Sequence, residues 1–156
     1  MIPPFMEPGP SDKALPDPEL LPEFYAWVWL KRFLAWVIDT ILVLVLVGLT
    51  LLLTAFAGFL IFPIVFFVVN LAYRAVAVTR WSATPGMLLM AIELRTLSGH
   101  KLDEKFAFLH SLGFSVSIAF PALQVFSVAL MLTSPYGQGL SDRLLGTTAI
   151  NRPATS

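Results

Sequence analysis

Residues 25–46 read YAWVWLKRFLAWVIDTILVLVL, and the class of fold turns on this stretch. After Lys31 and Arg32 the chain stays apolar as far as Leu53, long enough for the roughly 20 residues that a bilayer crossing needs. Asp39 interrupts the run. Arg32 and Asp39 are seven residues apart, so they fall on nearly one helical stripe but about 10 Å apart along the axis. They share a face and cannot touch. A carboxylate at such depth is costly unless it faces a bundle interior and meets another charge, so a different segment has to supply its partner.

Upstream, Phe24, Tyr25, Trp27 and Trp29 precede Lys31 and Arg32. Amphipathic rings beside snorkelling bases suit the headgroup level, so helix 1 is expected over about residues 24–54. Residues 1–22 carry Pro3, Pro4, Pro8, Pro10, Pro16, Pro18 and Pro22 among acidic residues. This composition predicts a disordered linker tail, and it lacks the basic start and short apolar core of a signal peptide, so it is expected to be retained.

Downstream, Asp39 is the only formal charge between Arg32 and Arg74, a span worth two crossings. Thr54 to Gly58 is the natural turn, with Pro63 tolerated in the first turn of helix 2, expected over about 59–80. Basic residues flank the hairpin at its open end and none lies at its tip, which predicts a cytoplasmic N-terminus in the cell membrane. A tip near residue 56 sets Asp39 level with Arg74. The two are expected to pair, with Asn70 one turn nearer the tip as a hydrogen-bonding neighbour and Tyr73 in support.

Residues 81–105 read as a cytoplasmic loop: Trp81 to Gly86 is turn chemistry, and Ala91 to Leu97 alternates like a strand before Ser98-Gly99-His100. Thr147 to Ile150 is also strand-like. Residues 106–133 are apolar but split by Pro121. One kinked crossing would leave the 134–151 segment outside; two short helices that dip and return would bring Asp142 beside Arg32. Pairing of the two strands and of those two charges favours return. The fold class is therefore an all-α integral membrane protein, a tight two-helix transmembrane hairpin plus a Pro-broken third apolar region, with a small cytoplasmic strand pair. Residues 23–151 form the membrane domain and 152–156 a short tail.

The apolar share of 57% over 156 residues exceeds what a small soluble core can hide. Zero net charge argues against a nucleic-acid partner. With no cysteine, disulfides and thiolate chemistry are excluded. His100 and His110 show no metal-ligand pattern and are expected at the surface or at helix ends. No nucleophile elbow or phosphate loop is present, so neither an enzyme nor a cofactor is expected. Glu93, Arg95, Lys101 and their neighbours read as a solvated rim.

Tyr25-Ala26, Arg32, Ala35 and Ile38-Asp39, followed by Thr84-Pro85-Gly86 with MLLMAIELRT and by Gly139-Leu140-Ser141-Asp142-Arg143-Leu144 and Gly146-Thr147, resemble the RDD family of bacterial membrane proteins. The resemblance covers about residues 24–151 and maps the family's arginine and two aspartates onto Arg32, Asp39 and Asp142. Met87 and His110 stand where the family commonly has a base. Some members are associated with sodium or proton transport, so the resemblance implies a small cation as ligand and those three residues as its binding or transport site. A chain this small would need an oligomer or a membrane partner to build a pathway through the lipid bilayer. The alternative is an accessory component whose charges only lock helix packing.

Overall fold

The computed structural model describes residues 15–152. Two long helices, α1 (Val28–Leu53) and α2 (Phe62–Trp81), form the hairpin, joined through turns and a short 3-10 segment at Ala57–Ile61. Pro63 sits in the first turn of α2, where a missing N–H costs nothing. Both helices are long and apolar enough to cross a membrane.

Their faces are inverted relative to those of a soluble protein. The buried stripe of α1 is Ala35, Asp39, Val43 and Val47, at four-residue spacing, and that of α2 includes Asn70, Arg74, Ala77 and Val78. Leu44, Leu49, Leu52, Ile64 and Val68 point outward. Polar groups inside and apolar groups outside is what a helix pair needs in hydrocarbon, where only the interior offers hydrogen-bond partners.

The segment after α2 adds a short helix to the expected loop and strand. Residues Pro85–Leu89 form a short helix, α3, capped by the Thr84 hydroxyl, which accepts the Met87 N–H at 3.3 Å. Five residues cannot show helical periodicity, so only turn chemistry was visible there. Strand β1 (Ile92–Thr96) follows and pairs antiparallel with β2 (Thr147–Asn151), Leu94 opposite Ala149. The conventional apolar core lies at this end, where Val28, Val78, Ala83, Met87, Ile92, Leu94 and Leu102 pack together.

Helices α4 (Glu104–Ala119) and α5 (Pro121–Thr133) meet at a 118° bend. Phe120 is extended, the conformation forced on a residue before proline. The apolar region therefore turns back rather than running on. Helix α6 (Leu140–Leu145) then leads into β2, on the same end as β1.

Residues 1–14 of the expected disordered tail lie outside the described residues. Residues 15–22 do not follow that expectation: the Leu15 N–H bonds the Leu97 carbonyl at 3.0 Å, and the Tyr25 hydroxyl bonds the Pro16 carbonyl at 2.7 Å. The solvated rim needs a correction at Glu93, which is 3% exposed and paired with Arg95 and Arg152.

Candidate functional site

Asp39 is held by four groups. Its Oδ1 accepts from the Tyr73 hydroxyl and the Gly86 N–H, both at 2.8 Å, and its Oδ2 accepts from the Thr84 hydroxyl at 2.5 Å. Arg74 Nη1 lies 3.8 Å from Oδ2, close enough for Coulomb attraction but too far for a hydrogen bond. The first two residues of a helix leave N–H groups unpaired and carry the positive end of its dipole. Asp39 therefore caps α3 from a neighbouring helix. Gly86 makes this contact achievable: a Cβ there would run into the Ala35 carbonyl oxygen and stand 2.8 Å from Asp39 Oδ1.

Asp142 repeats the device at α6. Its Oδ2 meets Arg32 Nη2 at 2.7 Å and accepts the Gly139 N–H at 3.0 Å, reaching back across the first turn as the acidic member of a capping box does. Its Oδ1 meets His110 Nε2 at 2.8 Å and the Thr147 hydroxyl at 3.1 Å. One carboxylate thus ties together α1, α4, α6 and β2. Burial by itself would raise its pKa, but the Arg32 guanidinium, with the hydrogen bond and charge of His110 and the Gly139 N–H, outweighs burial and holds the carboxyl well below the usual range.

A depressed folded-state pKa means that stability is present above the unfolded carboxyl pKa of about 4 and is lost as pH falls toward the lower folded value. The expected outcome is an unfolding midpoint in detergent that is flat from pH 7 to about 5 and falls below it. Asp142→Asn should flatten that acid limb; an unchanged limb would contradict the assignment.

Two expectations need correction. Asn70 does not join the Asp39 pair; its Nδ2 donates to Ser115 Oγ on α4 at 3.1 Å, because α2 packs closely on α4. His110 is not at the surface but 1% exposed against Asp142. The one signal for it was its place where the resemblance puts a base. Thr84 and Gly86 were visible only as turn residues. Arg74 lies beside Asp39, at the depth the hairpin tip set for it, and Tyr73, expected only in support, donates to Asp39 Oδ1. No group of three or more metal-ligating side chains occurs among the described residues.

Between α1 and α5 opens a groove of about 390 Å³ that reaches Arg32, Asp39, Arg74, His110 and Asp142. Its outer walls are aromatic and aliphatic, with Phe33 and Trp36 on one side and Val128 and Leu132 on the other. Arg74 lies flat over Phe114, 3.6 Å from the ring centre.

An inverted helical hairpin with a bent helix pair, joined at one end by buried arginine–aspartate contacts, defines a membrane-type protein with a buried charge network. Residues 26–146 match the model of the RDD family, and the chain belongs to that family. No curated protein and no solved structure matches it. The three residues that carry the resemblance, Arg32, Asp39 and Asp142, are the ones that fasten α3 and α6 to α1.

Proposed function

We propose that this RDD-family chain is a multi-pass protein of the cell membrane in which the two aspartates act as structural locks, with α1 and α2 as crossings, α4–α5 as a re-entrant pair and the N-terminus in the cytoplasm. The observation that carries this reading is how closely protein donors hold both carboxylates. An ionised carboxylate offers about four lone-pair sites; Asp142 meets Arg32, His110, Gly139 and Thr147 within hydrogen-bond distance, and Asp39 takes three hydrogen bonds, from Tyr73, Thr84 and Gly86, with the Arg74 charge 3.8 Å away. Removing one partner of a buried pair is costly, which suits a lock that must stay shut.

Sodium or proton transport, which family resemblance suggests, would require Asp39 to release at least one of its donors for a cation. The groove that reaches Asp39 is the feature that supports that second reading. The test is flux in proteoliposomes under imposed sodium and pH gradients. The lock reading expects native protein and Asp39→Asn to match protein-free vesicles; flux that vanishes in a folded Asp39→Asn variant would make the carboxylate a transport site. The accessory role implies a partner in the membrane, met through the outward apolar faces or as a second copy.

A further inference from the structure

The groove between α1 and α5 is unevenly provided with hydrogen-bonding groups. Its two carboxylates are already held by protein donors, Asp39 by three and Asp142 by four. Arg74 has donors to spare. Arg74 brings five N–H groups, is 3% exposed, and among the described residues makes no hydrogen bond; its Nε is buried without a partner. Arg74 lines the groove. A buried guanidinium with idle donors is an expensive group to keep, and what it lacks is an anionic oxygen acceptor, for which its planar fork is suited.

The walls state the rest of the ligand. Phe33, Val128 and Leu132 are 56%, 42% and 62% exposed along the groove. Helix α1 packs on α2 and α3, and α5 on α4 and α6, so the space between α1 and α5 stays open. Its volume of about 390 Å³ falls in the range of roughly 300–1,000 Å³ common to small-molecule sites, which are typically apolar with a few placed polar groups. A soluble anion would leave these walls bare.

We infer that the groove is a binding site for an anionic phospholipid, with phosphate oxygens on Arg74 and an acyl chain between the α1 and α5 walls. The inference rests on the membrane reading above, since a bilayer supplies such a ligand from the side. The groove borders both aspartates, and Arg74 is the shared member: it stands 3.8 Å from Asp39 Oδ2 without a hydrogen bond to it, which leaves its N–H groups for the phosphate.

The test uses the full chain in dodecyl maltoside micelles, with the thermal midpoint as readout. Three probes separate the ligand's parts: dioctanoyl phosphatidic acid, dioctanoylglycerol and inorganic phosphate. Phosphatidic acid near a hundredfold of its Kd is expected to raise the midpoint by about 5 °C or more, and the other two to leave it in place. Val128→Trp, which fills the groove from an exposed wall, should fold and lose the rise. Arg74→Gln should lose it too, but that variant also disturbs Asp39. An equal rise with dioctanoylglycerol, an equal rise with phosphate, an undiminished rise in Val128→Trp, or no rise at all would each overturn the site. Binding in micelles does not depend on how the helices cross a bilayer, which cysteine labelling reads separately.

Discussion

Arg32→Ala is expected to cost about 3–5 kcal/mol of stability, the usual effect of removing one member of a buried ion pair. Asp142 is 1% exposed, and without the guanidinium 2.7 Å from Oδ2 it would remain a buried carboxylate stripped of its closest positive partner. The loss should spread beyond one contact, since the same carboxylate holds the Gly139 N–H at the start of α6 and the Thr147 hydroxyl at the start of β2. The pairwise origin can be isolated. In the double variant Arg32→Ala/Asp142→Asn no unpaired charge is left, so the loss should fall short of the sum of the single losses by about 1–3 kcal/mol. Denaturation in mixed micelles reads all three; strictly additive losses would mean that the two residues act independently.

The second large effect comes from one methyl group. Gly86→Ala places a Cβ against the Ala35 carbonyl oxygen and within 2.9 Å of both the Asp39 Oδ1 and Cγ. A backbone carbonyl inside a helix cannot move aside, so α3 has to back away from α1. Overpacking costs roughly 1–3 kcal/mol, and losing the Gly86 N–H leaves an under-satisfied buried carboxylate worth roughly 1–3 kcal/mol more. We expect a total near 3 kcal/mol. Gly48→Ala is the matched control, because nothing lies within 4 Å of a Cβ there; in mid-helix it should be neutral or stabilising by up to about 1 kcal/mol. Equal effects at the two glycines would remove the close approach of α3 as an explanation.

What could be read from the sequence follows from what charge and length constrain. Two long apolar helices between Arg32 and Arg74, a tip near residue 56 and Pro121 as a break are decided by spacing and by proline's backbone, and depth alone set Arg74 opposite Asp39. The strands were legible from alternation in Ile92 to Arg95 and from β-branched residues in Thr147 to Ile150. The capping role of Thr84-Pro85-Gly86 was not, because α3 is five residues long and its partner is 47 positions away. Burial was hidden as well. In a chain whose apolar residues face outward, hydrophobicity does not mark the interior, so His110, Ser111 and Ser115, all at or below 1% exposure, looked no different from surface residues. Asn70 was placed at the right depth and given the wrong neighbour, since the packing of α4 on α2 leaves no spacing signal.

With α1 and α2 as the proposed crossings, Arg32 and Asp142 can meet only if α4 and α5 turn back to the side of the membrane from which α1 starts. Because the chain has no native cysteine, single cysteines at Leu60 and Arg143, which are both exposed, can be probed in sealed vesicles with an impermeant thiol reagent. The expected result is labelling of Leu60→Cys and Arg143→Cys from opposite sides. Labelling of both from the same side would place Asp142 across the bilayer from Arg32 and dissolve the clamp.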